Sequence, residues 1–173
     1  AKKATMQSAH VVSPMYLRFA REKTPVFTTE ATPFVIGKAE VFWETKRPEV
    51  TIIACGPLVH NALIAAQLLH EEKIDVDVIN CHTIKPLDEK TILASVKKSK
   101  AVVTVEEHQV MGGLGGAVAE LLAKKQPVKM EFIGMQNTFG ERGEPDQLIK
   151  KYKMDPVSIA AAAKRTLGEP VTN

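Results

Sequence analysis

The chain has 173 residues, 45% hydrophobic and 25% charged, the make-up of an ordinary globular domain and not of a disordered or low-complexity one. Lys and Arg total 23 against 20 Asp and Glu, and that net charge of +3 is too small and too scattered for a nucleic-acid partner. The longest apolar runs fall far short of the roughly 20 residues of a membrane span, and two cysteines cannot make a disulfide scaffold, so a reducing, cytoplasmic setting without membrane contact is expected.

The chain opens Ala-Lys-Lys without Met, as expected of a piece of something longer. Residues 5–9 suggest a short helix, Ser13-Pro14 a break, and Met15–Phe19 a short strand. Arg21–Pro33 carries two prolines, several threonines and little periodicity, so it reads as a linker and a domain boundary. Ile36–Trp43 is the next expected strand, followed by a polar turn. Val50–Cys55 is a continuous, β-branched apolar run, the pattern of a strand covered on both faces. Gly56-Pro57 then opens a largely buried helix to about Glu72, because proline at the first helical position loses no hydrogen bond.

That unit recurs. Strands are expected at Ile74–Ile79, Ala101–Val105 and Val128–Ile133, and helices at Pro86–Lys98, Gly116–Lys125, Glu144–Tyr152 and Pro156–Leu167. Asp88 and Asp155 are the expected N-caps, and Gly168 and Pro170 stop the last helix. Alternation at this spacing implies right-handed crossovers and a parallel sheet. The fold class is therefore three-layer α/β/α, with a mostly parallel sheet of about five strands and Ile36–Trp43 as an antiparallel edge.

Open sheets of this kind bind ligands beyond the carboxyl ends of their strands. Three segments fall there: Cys55-Gly56-Pro57, Asn80-Cys81-His82-Thr83, and Glu106-Glu107-His108-Gln109 leading to Gly112-Gly113-Leu114-Gly115-Gly116. The glycines Gly112, Gly113, Gly115 and Gly116 suit either backbone amides aimed at an anion or a tight turn that packs a helix against the sheet. They match neither GxGxxG nor GxxxxGK(S/T). His108, tuned by Glu106 and Glu107, is a candidate proton carrier or interface residue at the same turn, and His82 a second. Cys55 and Cys81 read as buried small residues, and no spacing points to a metal. The polar loop Phe139–Pro145 suits either a partner contact or a plain turn.

Several of these segments also resemble, in order, the transketolase C-terminal domain. They are Leu17-Arg-Phe-Ala-Arg-Glu-Lys-Thr-Pro-Val-Phe, Ile36-Gly-Lys-Ala-Glu-Val, Val50-Thr-Ile-Ile-Ala-Cys-Gly-Pro-Leu-Val, His82-Thr-Ile-Lys-Pro-Leu-Asp, Val105-Glu-Glu-His-Gln-Val-Met-Gly-Gly-Leu-Gly and Asn137-Thr-Phe-Gly-Glu-Arg-Gly-Glu-Pro. The resemblance covers about residues 15–168 and is closest to the split, two-subunit form. It extends in lesser degree to deoxyxylulose-phosphate synthase and to 2-oxoacid dehydrogenase β subunits.

It implies a whole enzyme that transfers a two-carbon ketol unit between sugar phosphates with thiamine diphosphate and Mg. Residues 1–33 would be the tail of its pyrimidine-binding domain plus linker, and 34–173 the C-terminal domain. That domain is dimerising and structural in the family, so the chain alone is expected to hold no cofactor, metal or catalytic residue and to be inactive. The implied partner is the N-terminal part or subunit, in a homodimer or heterotetramer. The GDG motif that holds the diphosphate and metal is absent from these residues. One residue carries over: Arg21, four before Pro25, matches an arginine that contacts the substrate phosphate, as suits a guanidinium. Arg18 is a second candidate.

Overall fold

A computed structural model describes residues 1–21 and 23–169. The ordered body begins with β1 (Glu40–Trp43) and β2 (Val50–Ala54), followed by α2 (Leu58–Glu71), β3 (Val76–Asn80), α3 (Glu89–Val96) and β4 (Ala101–Gln109). It continues through α4 (Leu114–Lys125), β5 (Lys129–Met135), α5 (Pro145–Lys151) and α6 (Pro156–Leu167), and a separate α1 (Lys2–Ser8) precedes it. The sheet runs β1-β3-β2-β4-β5. The β2–β3, β2–β4 and β4–β5 pairs are parallel, and β1 lies antiparallel against β3. The expected fold class is the observed one.

The central strand explains the arrangement. All five residues of β2 are buried, because it is covered by helices on both faces. One face carries α2 and α6, whose alanines (Ala62, Ala65 and Ala66 against Ala160, Ala162 and Ala163) let the layers approach closely over Ile52, Val78 and Val103. The opposite face carries α3 and α4, with Ile92, Val96, Leu114, Val118 and Leu122 over Ile53, Ile79 and Val102. Two caps act as their sequence suggests. Asp88 accepts from the Thr91 N–H at 3.2 Å, and Asp155 from Val157 and Ser158. Gly168 closes α6 at φ +81°, a left-handed conformation that favours glycine.

Some expectations shift. The segment expected as a strand over Ile36–Trp43 pairs only from Glu40, because Gly37 at φ +79° and a turn from Val35 to Lys38 occupy its first half. The strand β3 is not purely apolar. Asp77 lies fully buried within it, accepting from Thr45 N–H at 3.0 Å and Ser95 Oγ at 2.7 Å and pairing with Lys98 at 3.1 Å. Met15–Phe19 has no regular structure and is not a strand, because no neighbouring strand offers it hydrogen bonds.

Residues 1–36 nonetheless hold together. The Lys3 ammonium donates to Glu30 O at 2.7 Å and to Thr32 O, and Gln7 clasps Phe34 O at 2.6 Å and Ile36 N–H at 3.2 Å. Phe34 stacks on His82 with ring centroids 4.2 Å apart, fixing the end of the linker to the body. Pro170, named above as a stop signal, lies outside the described residues. Among the described residues no helix is long and apolar enough to cross a membrane.

Candidate functional site

The three sequence-predicted segments do meet at the carboxyl edge of the sheet. Adjacent β2 and β4 send their following helices to opposite faces, α2 to one and α4 to the other, the point in the strand order where open α/β sheets place their ligand crevice. Cys55 lies at its β2 side, its N–H donating to Val105 O at 3.1 Å, and Glu106 to Gln109 at its β4 side.

Residues alternate along β4, so Glu106 and Glu107 diverge. Glu107 is exposed, whereas Glu106 is 1% exposed and turns toward the start of α4. One carboxylate oxygen accepts the Leu114 N–H at 2.8 Å and the other the Gly115 N–H at 2.7 Å. The glycine-rich turn therefore does aim amides at an anion, and that anion is the protein's own carboxylate. It sits where the helix dipole is positive and the first N–H groups lack intrahelical partners.

The glycines divide by role. A Cβ on Gly113 would stand 2.0 Å from a Glu106 carboxylate oxygen, and one on Gly115 2.7 Å from the Phe132 ring and 2.9 Å from Thr104 Oγ1. Gly112 adopts φ +76°, and Gly116 faces open space. So Gly113 and Gly115 clear room for the glutamate and the sheet, Gly112 makes the turn, and nothing in the structure requires glycine at Gly116. A strand-end acid followed by a glycine-rich helix start was the available signal for the cap.

His108 is half-exposed and its Nδ1 lies 2.9 Å from Gln109 O and 4.0 Å from Glu106. His82 is far from it in role. It stacks on Phe34, pairs with Thr83 Oγ1 at 3.1 Å, and burial lowers its pKa despite an opposing backbone hydrogen bond. The imidazole is thus held neutral as a packing element. Both thiols are pushed up to about 12, Cys55 by burial, then Glu106 and Cys81, and Cys81 by burial, then Asp88. Neither is a thiolate at neutral pH, so neither is an activated nucleophile.

Arg21 is exposed, at a bend outside the helices and strands. Arg18, three residues earlier, reaches the crevice, where its Nη1 donates to Glu107 O at 3.0 Å. Among the described residues no group of three or more His, Cys, Asp or Glu could hold a metal. The buried carboxylate at the edge is committed to amides, and the thiols beside it are protonated. This donor set does not fit a metal-bound diphosphate.

The family model described as transketolase, C-terminal domain, matches residues 37–159. The chain belongs to the transketolase C-terminal domain family. It is 40% identical over 150 residues to a 6-deoxy-6-sulfo-D-fructose transketolase subunit of Clostridium sp. (strain MSTE9), covering 87% of this chain and 46% of that protein. It is 36% identical over 149 residues to a 1-deoxy-D-xylulose-5-phosphate synthase of Caldanaerobacter subterraneus subsp. tengcongensis, covering 85% of this chain and 24% of that one. Among solved structures, a chain of a split gene transketolase described as an inactive beta4 tetramer superposes with a TM-score of 0.90 at 34% identity. The match covers 95% of this chain and 54% of that one. The chain thus spans about half, or less, of the length of these relatives. The transketolase matched segment starts at Gly37, just past the linker.

Proposed function

We propose that this chain is the C-terminal portion of a thiamine diphosphate-dependent transketolase, which moves a two-carbon ketol unit between sugar phosphates in the cytoplasm as part of pentose phosphate metabolism. The observation that carries this reading is the family match over residues 37–159, all five strands and the helices from α2 up to the start of α6, together with coverage of only about half of the most similar relatives. Its role is to support assembly. The cofactor and its Mg are held elsewhere, by an N-terminal part or subunit, and the working unit is a homodimer or heterotetramer. The split gene transketolase described as an inactive beta4 tetramer supports a need for such a partner.

The exposed apolar side chains of the N-terminal stretch fit the same reading. Val12, Tyr16, Phe19 and Val26 are all at least half exposed, and Met15–Phe19 lies outside the sheet. Residues 1–33 are then the tail of the preceding pyrimidine-binding domain, whose sheet would cover them, and 34–173 the domain proper. Arg21 in this tail would bind the substrate phosphate. Glu106, by filling two amides of the Gly112–Gly116 turn, favours packing over ligand binding there. The match to the deoxyxylulose-phosphate synthase keeps one alternative specific: the C-terminal domain of that enzyme.

The test is thermal unfolding of the chain with thiamine diphosphate and Mg²⁺. A ligand of the native state raises the midpoint, so no shift is expected here and a saturable shift is expected once the preceding domains are present. A saturable shift with this chain alone would overturn the division of labour.

A further inference from the structure

The polar anchoring of the N-terminal stretch is uneven. From residue 9 to residue 28, among the described residues, one side-chain hydrogen bond reaches the α/β body: Arg18 Nη1 to Glu107 O, at 3.0 Å across 89 positions of sequence. Its charge also lies near enough to Cys55 to oppose the rise that burial, Glu106 and Cys81 impose on that thiol. Arg18 is therefore tied to the end of β4, with Cys55 after β2 within range of its charge. Further along, Phe27 rests in apolar contact on Phe42 and His60, at centroid distances of 6.1 and 6.3 Å. Arg21 lies between these two anchorages.

The spacing limits where Arg21 can be. Three residues of extended chain span at most about 10 Å, so the Arg18 anchor confines the Arg21 backbone to the neighbourhood of the crevice. Without that anchor, the stretch ahead of Phe27 has no polar tie to the body among the described residues. An exposed arginine on such a segment would lose affinity to the cost of ordering it on each binding event.

We infer that Arg18 is a positioning residue, whose guanidinium, fixed on the Glu107 carbonyl, holds Arg21 at the carboxyl edge of the sheet for the phosphate of a sugar phosphate. The inference rests on the phosphate role proposed for Arg21. A guanidinium suits the task because its five donors allow one to grip a carbonyl while its charge stays available to the crevice. The contact is to a backbone oxygen, so it does not depend on which side chain stands at Glu107.

The test uses Arg18→Ala, Arg18→Lys and Arg21→Ala in the complete assembled enzyme, with phosphorylated and unphosphorylated acceptor sugars. Arg18→Ala is expected to raise KM for the phosphorylated acceptor about three- to tenfold, the scale of one solvent-exposed hydrogen bond from a charged donor. It leaves kcat within about twofold and the unphosphorylated acceptor unaffected, and Arg18→Lys, which still reaches a carbonyl, restores most of the loss. In the chain itself, the NMR order parameters of the Leu17–Phe19 backbone fall in Arg18→Ala and not in Arg18→Lys. If Arg21→Ala raises KM and Arg18→Ala does not, the positioning role is wrong while the phosphate role stands. If Arg21→Ala leaves KM unchanged, both fall. A drop in kcat on both acceptors alike, or unchanged order parameters in Arg18→Ala, would mark Arg18 as merely structural or unattached and overturn the inference.

Discussion

Replacing Glu106 probes the carboxyl edge most sharply, because its carboxylate joins β4 to the start of α4. In Glu106→Ala the Leu114 and Gly115 N–H groups lose acceptors at 2.8 and 2.7 Å in a buried setting. Each orphaned donor costs about 1–3 kcal/mol, partly offset because a buried carboxylate no longer has to be desolvated. A net loss of about 3 kcal/mol is expected. Glu106→Gln keeps one acceptor but turns an NH₂ toward the other N–H, so about 2 kcal/mol is expected. Gly113→Ala tests the same geometry from the other side. Its Cβ would meet Glu106 Oε2 at 2.0 Å and Cδ at 2.8 Å, with Gln109 O next at 3.1 Å. Overpacking of this kind costs about 1–3 kcal/mol. Removing the carboxylate removes the two nearest obstacles, so in a Glu106→Ala background Gly113→Ala should cost less than about 1 kcal/mol. Urea unfolding of the four proteins in this cycle gives the coupling directly. A coupling of at least about 1 kcal/mol is expected, and strict additivity would refute the idea that glycine is there to admit the glutamate.

Three further outcomes follow from the caps and thiols. Burial raises the Asp88 pKa, but the Ala39 N–H and the Thr91 hydroxyl and N–H more than offset this, leaving it below the usual carboxylate value. A depressed folded pKa stabilises above the unfolded value and the gain is lost as pH falls. Asp88→Ala should therefore cost about 2 kcal/mol at pH 7 and progressively less below about pH 4, and a gap that widened in acid would contradict the assignment. Cys55 and Cys81, both at about 12, should react with a soluble alkylating reagent at pH 8 at least ~100-fold more slowly in the folded chain than in denaturant; fast native labelling would show the crevice to be open. Gly168→Ala, at φ +81° with its N–H on Arg165 O and Lys164 O, should cost about 1 kcal/mol of stability by urea unfolding, and no change would mean that α6 ends without this cap.

The body of the fold was legible because its signals were redundant. The β-branched run Val50–Ala54, the Gly56-Pro57 helix start and the Asp155…Gly168 bracket of the last helix each state element type and limit together. Strand ends were less visible. β4 continues to Gln109 past two glutamates, since a buried acid at a helix start looks, in sequence, like the end of an apolar strand. Glu106 and Glu107 both precede His108 in sequence, and only the alternation of β4 separates one into the interior from the other in solvent. Asp77 was hidden for a like reason: its partners Thr45, Ser95 and Lys98 come from two distant segments. Met15–Phe19 has the composition of a strand, but a strand exists only with a neighbour. In the described structure these residues stand alone, outside the sheet.

Ketol transfer measured with a ketose phosphate donor and an aldose phosphate acceptor, in the presence of thiamine diphosphate and Mg²⁺, tests the central claim most directly. The comparison is between this chain, the polypeptide carrying the diphosphate- and pyrimidine-binding domains, and the two combined. The account predicts turnover only for the combination, rising to a plateau as this chain is added. Turnover by this chain alone, or full activity of its partner without it, would contradict the account.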